Sequence, residues 1–124
     1  MKISTYRDLK VWQKAIDLVA ESYRLAKLLP RTEVYGLTSQ IQRAAVSVPA
    51  NIAEGHGREH IGDYLHHLSI ANGSLKELET HFIIAAKLGY LSERETGPIL
   101  ERGEEVGRML AGLTKGLKAA AAAI

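Results

Sequence analysis

The stretch YGLTSQIQRAAVSVPANIAEGHG, residues 35–57, decides the fold. Its apolar residues recur at steps of four and three, as on one stripe of an α-helix: Leu37, Ile41, Ala44, Val48 and Ile52. A polar row runs beside that stripe: Gln40, Arg43, Ser47, Asn51, Glu54 and Arg58. Pro49 falls within the pattern and predicts a kink, because proline cannot donate the hydrogen bond to the carbonyl of Ala45. The stretch therefore predicts a core helix whose polar row does more than fill the core.

The composition is that of one soluble globular domain. A chain of 124 residues buries roughly two-thirds of its unfolded surface, so we expect a single domain over residues 1–124. The absence of cysteine excludes a disulfide framework and thiolate chemistry and is typical of a reducing cytoplasm. The sequence shows neither the ~20-residue apolar run of a membrane span nor a signal peptide. We therefore expect a cytoplasmic protein with no membrane partner.

Hydrophobic periodicity predicts four helices, at about residues 8–29, 33–56, 60–88 and 92–120. The connections between them are roughly three to six residues long, which makes consecutive helices antiparallel neighbours. The predicted fold class is all-α, an antiparallel up-down-up-down four-helix bundle.

Local signals mark the ends of these helices. Pro30 ends the first helix, because a residue before proline avoids the α conformation. Gly55 and Gly57 at the end of the second helix and Gly89 at the end of the third suit a left-handed backbone. Ser92 and Glu95 form a capping box that opens the fourth helix.

Two helices carry more apolar surface than one core contact needs. The first helix has two apolar rows: Leu9, Trp12, Ile16, Val19, Tyr23 and Ala26, and beside them Val11, Ala15, Leu18, Ser22, Leu25 and Leu28. Either the helix lies deep between its neighbours or the second row contacts another subunit. On the third helix, polar residues alternate with isoleucines, a composition expected of a subunit interface: Ile70, Ser74, Glu77, His81 and Ile84.

Two longer motifs carry a family resemblance. SVPANIAEG (residues 47–55), preceded by YGLTSQIQRAA, and ANGSLKELET (residues 71–80), followed by KLGYL, resemble the bacterial four-helix-bundle family of 23S rRNA intervening-sequence proteins. The opening YRDLKVWQKAIDL is similar too, and the resemblance covers about residues 5–115. It implies a homopentamer of four-helix bundles. A related branch, the accessory proteins of diversity-generating retroelements, binds nucleic acid and a reverse transcriptase through basic surfaces of such a pentamer.

The motif residues predict a polar network or a subunit interface. The members come from two helices: Ser47, Asn51, Glu54 and Gly55 from the second, and Ser74, Glu77 and Glu79 from the third. Facing rows would satisfy one another, since an unpaired buried polar group costs ~1–3 kcal/mol. Direct ligand contact and catalysis by paired carboxylates are the alternatives. No nucleophile with a positioned base is evident, so we expect no catalytic residue and no enzymatic activity.

One helical face raises the question of a metal. His60, Asp63 and His67 recur at steps of three and four and could ligate a divalent cation. A fourth ligand and the HExxH order are missing, which favours surface histidines. We expect no metal and no cofactor.

The N-terminal quarter is basic. Residues 1–31 hold seven cations and three anions, a balance of +4. The candidate nucleic-acid-binding residues are Arg7, Lys10, Lys14, Arg24, Lys27 and Arg31. Repeated around an oligomer, they predict salt-sensitive, sequence-nonspecific binding of structured RNA or another nucleic acid. A protein-interaction scaffold without nucleic-acid binding is the alternative. An enzyme or metalloprotein would need convergence of the histidine face or of the Glu54, Glu77 and Glu79 carboxylates.

Overall fold

The computed structural model describes residues 5–123, and this part of the chain is helical without a strand. The four α-helices are α1 Lys10–Ala26, α2 Leu37–His56, α3 Ile61–Lys87 and α4 Glu93–Ala122. Short 3₁₀ turns at Tyr6–Asp8 and Arg31–Glu33 precede α1 and α2. The all-α fold class is confirmed. Over the described range, no helix combines the length and the apolarity that crossing a lipid bilayer requires.

Each helix packs against two others, as in a four-helix bundle. α1 contacts α2 and α4, and α3 contacts the same two helices from the other side. The most extensive of these contacts joins α2 and α3. Residues 57–60 connect α2 to α3, and residues 88–92 connect α3 to α4. Connections this short make the helices they join antiparallel.

The two apolar rows of α1 differ in how deeply the bundle buries them. Its second row is buried within the single copy as far as Leu25, including the small residues Ala15 and Ser22, and only Leu28 is 51% exposed. From the first row, Ile16 and Tyr23 are 41% and 37% exposed. The hypothesis that the second row contacts another subunit is therefore wrong. Helical periodicity finds both rows, but it does not say which one faces the bundle axis.

The helix ends follow their local signals in α3 and α4 more closely than in α1 and α2. The Ser92–Glu95 capping box is present, and Gly89 has the expected left-handed backbone, with φ +78°. Gly57 has a right-handed φ of −79°, and Gly55 lies within α2 without a positive φ, so the left-handed prediction is wrong at both. α1 and α2 begin later than predicted because 3₁₀ turns occupy the residues before them. α2 runs without interruption across the buried Pro49.

A single carboxylate ties the start of α2 to the far end of α3. Glu33 Oε1 accepts a hydrogen bond from the Leu37 amide at 3.0 Å, and Oε2 accepts one from the Tyr90 hydroxyl at 2.9 Å. Both bonds favour the charged carboxylate, and together they hold the pKa of Glu33 below its ordinary value of 4.5. The same contact raises the pKa of the Tyr90 hydroxyl above 10.0.

We predict that Glu33 contributes to the acid sensitivity of the fold. Because its pKa is lowered on folding, its stabilisation is complete above about pH 4.5 and is lost as the pH falls through the lower folded value. Glu33→Gln should therefore lower the free energy of unfolding at pH 7 and flatten its decline below pH 5. Urea unfolding across about pH 7 to pH 3 measures this.

The matched control for that experiment is Glu59→Gln. Glu59 is an exposed carboxylate between α2 and α3, and it makes no side-chain hydrogen bond or ion pair with any described residue. Its removal should leave the acid dependence close to that of the parent protein. Identical pH profiles for the two variants would contradict the role of Glu33.

Candidate functional site between α2 and α3

Four polar side chains form a continuous chain of hydrogen bonds between α2 and α3. The Ser47 and Ser74 hydroxyl oxygens are 2.8 Å apart. Asn51 Nδ2 donates to the Ser47 carbonyl at 2.9 Å and to its hydroxyl at 3.0 Å. Asn51 Oδ1 lies 3.1 Å from His67 Nδ1; since that oxygen only accepts, a hydrogen bond here uses the histidine form with a proton on Nδ1. We call Ser47, Asn51, His67 and Ser74 the polar seam.

Helical spacing brings these residues together. Ser47 and Asn51 are one turn apart on α2, and His67 and Ser74 are two turns apart on α3. Glu54 continues the α2 row at the edge of the seam, where its carboxylate pairs with Arg58 at 2.9 Å and lies 3.9 Å from His67 Nδ1. The structure therefore unites residues of both motifs predicted to form a network, and it adds His67, which the sequence analysis considered only as a metal ligand.

Gly55 sets how closely α2 and α3 approach at this end. A Cβ atom at this position would lie 2.9 Å from His67 Cβ and 3.0 Å from Tyr64 Cδ1. Backbone carbonyl oxygen from Tyr64 is only 3.2 Å away, so rotating a side chain cannot relieve the contact. The same packing buries Tyr64 enough to raise the pKa of its hydroxyl above 10.0. Gly55 is thus a spacing residue for the polar seam.

We predict that Gly55→Ala destabilises the protein by roughly 1–3 kcal/mol, because an overpacked contact forces backbone shifts. The control is Gly73→Ala, also within a helix, where an added Cβ meets nothing within 4 Å. That variant should gain up to ~1 kcal/mol from helix propensity. Urea midpoints at constant m-value measure both changes. Equal stabilisation of the two variants would refute the close approach at Gly55.

The two predicted carboxylates on α3 point to different sides of the helix. Glu77 lies 3.4 Å from Nε2 of the buried His81, on the side facing α2. Glu79 instead pairs with Lys76 at 3.3 Å, and its aliphatic stem is 3.5 Å from a Cβ built on Gly103 in α4. Glu79 therefore lies at the α3–α4 contact and does not join the network, contrary to expectation.

A metal or catalytic centre has no support from this geometry. Glu54, Glu77 and Glu79 each have a different partner, so the carboxylates do not converge. His67 belongs to the polar seam, whereas His60 and Asp63 are exposed at the start of α3. Across residues 5–123, no group of three or more histidine or acidic side chains could hold a metal ion.

An open cleft lies directly outside the polar seam, with a volume of about 570 Å³. We call it the seam cleft; it is lined by Tyr35, Ser39, Gln40, Arg43, Ala44, Ser47, Ser74 and Glu77. Arg43 and Glu77 give it charges of both signs. Tyr35 at its edge is 97% exposed, an unusual position for a large aromatic side chain.

Most α3 residues next to the seam cleft are exposed or partly exposed in the single copy, although His81 is buried. We call them the α3 flank: Ile70, Ser74, Glu77, His81, Ile84 and Leu88. Ile70 and Ile84 are 38% and 40% exposed, and Leu88 is 56% exposed. Nδ1 of His81 is buried without a hydrogen-bond partner among the described residues. This face combines apolar and polar groups in the way the interface interpretation requires.

The six candidate nucleic-acid-binding cations are all exposed, but they are not equally available. Lys14 pairs with Glu105 of α4 at 3.4 Å, and Arg24 pairs with Glu21 at 2.9 Å. The Arg24 hydrogen bonds lower the pKa of the Glu21 carboxyl. The guanidinium of Arg7 lies 5.6 Å from the centre of the Tyr6 ring. No ion pair within residues 5–123 engages the remaining three: Lys10, Lys27 and Arg31.

One family model and one crystal structure are similar to this chain. The family model described as 23S rRNA-intervening sequence protein matches residues 7–112. The crystal structure of a protein of unknown function from the S23 ribosomal protein family of Bacteroides thetaiotaomicron VPI-5482 superimposes with a TM-score of 0.79 and 23% sequence identity. The match covers 85% of this chain and 98% of that one and supports the shared fold. Among curated proteins, none matches the chain.

Proposed function

The chain belongs to the family of 23S rRNA-intervening sequence proteins, and from this premise we propose that it is a self-assembling binding module and not an enzyme. The observation that carries the proposal is the uncovered α3 flank beside the polar seam. The seam side chains form hydrogen bonds with one another and hold α2 against α3. The α3 flank on the outer side of the seam is therefore the surface that a partner can contact.

Exposed apolar side chains support a second copy as that partner. Within residues 5–123, ten large hydrophobic residues are exposed: Ile16, Tyr23, Leu28, Val34, Tyr35, Val46, Ile70, Ile83, Ile84 and Leu88. An exposed apolar side chain that stands alone needs no explanation, but a contiguous patch of them marks an interaction site. Covering the exposed part of one isoleucine stabilises by roughly 0.5–1 kcal/mol, so only an extended face can hold subunits together. Because the seam cleft carries both Arg43 and Glu77, neighbouring copies can pair opposite charges across it.

We predict a homopentamer in solution, as the family resemblance implies, with a mass near five times the 13.6 kDa of one chain. Ile84→Glu should lower that mass towards the monomer, because it places a carboxylate on the α3 flank. Light scattering coupled to size exclusion measures the mass.

The matched control is Ile83→Glu. Ile83 is the adjacent residue, 49% exposed, and lies on the α4 side of α3, where it lines a cleft with Leu100. This variant should keep the parent mass, and circular dichroism should show that both variants are folded. A monomeric parent protein would overturn the assembly proposal.

We further propose that the assembly binds structured RNA or another nucleic acid through the α1 side. Lys10, Lys27 and Arg31 support this, because no described carboxylate neutralises them. Each copy adds its phosphate contacts to the others, and the released counterions make affinity steeply salt-dependent. The lack of cysteine in the sequence fits action in the cytoplasm, where such RNA is found.

We predict that the protein shifts a structured RNA in an electrophoretic titration and that raising salt from about 50 to 200 mM weakens binding at least tenfold. Replacing Lys10, Lys27 and Arg31 together by Gln should weaken binding by a similar factor and reduce the salt dependence. Lys14→Gln is the control, since the lysine it removes already pairs with Glu105. Absence of a salt-dependent shift at micromolar protein would contradict the RNA proposal.

A protein-interaction scaffold is the second candidate function. It is favoured by the apolar side of α1, where Ile16 and Tyr23 are partly exposed beside the partly buried Trp12. The neutralisation of Lys14 and Arg24 also weakens the basic surface. A pentamer that leaves RNA unshifted would favour this function.

A further inference from the structure

A second open cleft lies between the first half of α3 and the last part of α4. Its volume is about 730 Å³, within the ~300–1,000 Å³ range of small-molecule sites. We call it the α3–α4 cleft. It is lined by Gly62, Leu65, His66, Leu68, Ser69, Asn72, Leu110, Ala111, Thr114, Lys115 and Lys118.

The floor of the α3–α4 cleft is apolar and fixed by the bundle core. Leu68 and Leu110 are 1% and 2% exposed and belong to the core cluster, and Leu65 lies beside them. At the mouth, a Cβ added to Gly62 would meet no atom within 4 Å. The cleft therefore offers a rigid leucine surface that is open to solvent on one side.

The rim carries positive charge without any carboxylate. Lys115 and Lys118 lie one turn apart on α4, and no carboxylate of residues 5–123 is paired with either. His66, Ser69 and Asn72 line the α3 side, so hydrogen-bonding groups flank the leucine floor.

Other clefts of this bundle differ in that respect. The seam cleft contains Glu77, and the cleft beside Lys14 contains Glu101 and Glu105. In the cleft beside Lys14, Glu105 pairs with that lysine at 3.4 Å. In the α3–α4 cleft the positive charge has no such counterpart within the lining, so an anionic group of a ligand would be the first to pair with it.

We propose that the α3–α4 cleft binds a small amphipathic anion, with its apolar body on the leucine floor and a single carboxylate or phosphate against Lys115 and Lys118. The ammonium groups supply charge-assisted hydrogen bonds, which are shorter and stronger than neutral ones. The floor rewards an aliphatic or aryl body, because removing apolar surface from water is favourable. A purely polar competitor would leave the leucine floor uncovered, and a purely apolar competitor would leave the two ammonium groups unpaired.

An RNA backbone fits this cleft less well than an amphipathic anion. Phosphodiester and ribose groups are polar along their whole length and would leave the leucine floor uncovered. The site is also independent of the proposed function, because none of its residues belongs to the polar seam, the α3 flank or the α1 cations. Failure of one proposal leaves the other standing.

Isothermal titration calorimetry of the full chain with octanoate and with octyl phosphate tests the proposal. We expect one site per chain with a dissociation constant of roughly 10–500 µM for at least one of them. Octanol and inorganic phosphate, each carrying half of the ligand, should bind at least about tenfold more weakly. The ratio of the two affinities identifies the head group, carboxylate or phosphate.

Two kinds of variant locate the site. Lys115→Glu should weaken octanoate binding about tenfold by replacing attraction with repulsion, whereas Lys87→Glu at the exposed end of α3 should not. Ala111→Phe, at an exposed position of the cleft wall, should block binding, and Ala20→Phe on the exposed side of α1 is its control. Thermal melts by circular dichroism establish that all four variants are folded.

Three outcomes would overturn the proposal. These are equal affinity for octanoate and octanol, unchanged octanoate affinity in both Lys115→Glu and Ala111→Phe, and co-sedimentation with phosphatidylglycerol vesicles without binding of either soluble anion. The last result would make the surface a membrane contact instead of a small-molecule site.

Discussion

The close approach of α2 and α3 is the constraint on which the rest of this structure depends. It requires Gly55, since a Cβ there would come within 2.9 Å of His67. At that spacing Ser47 and Ser74 can bond across the helices, and Asn51 can reach both Ser47 and His67. Sliding α2 by one turn would break the two bonds that cross between the helices, Ser47–Ser74 and Asn51–His67, at ~1–3 kcal/mol for each group left unsatisfied. The seam therefore selects one register from several that an apolar contact alone would allow.

That register has a consequence for the outer surface. Holding α2 close to α3 keeps the seam side chains partly buried, yet it also leaves the next row of α3 beyond the edge of α2. Ile70 and Ile84 are consequently 38% and 40% exposed. The polar seam and the uncovered flank are thus two results of the same packing, and this links the fold to assembly.

Two helix boundaries could be predicted from the sequence because their causes are local. The capping box at Ser92 and the glycine cap at Gly89 each involve neighbouring residues, and both are present. Features set by distant partners were harder to predict. The two α1 rows have the same helical periodicity, so periodicity cannot say which of them faces the bundle axis. Likewise Glu79 lies in the family-like motif beside Glu77, but two positions along a helix turn its carboxylate towards α4.

The distribution of charge shows the same limit most clearly. Counting residues 1–31 gives a balance of +4, but folding brings Glu105 of α4 to Lys14, so a cation counted in one segment is neutralised by an anion from another. Conversely, α4 holds acidic and basic residues close together in sequence, but Glu104 lines a different cleft from Lys115 and Lys118. Electrostatic attraction acts over only ~10 Å in physiological salt. A binding surface is therefore set by which charges remain unpaired after packing, and that quantity depends on the whole bundle, not on any segment of its sequence.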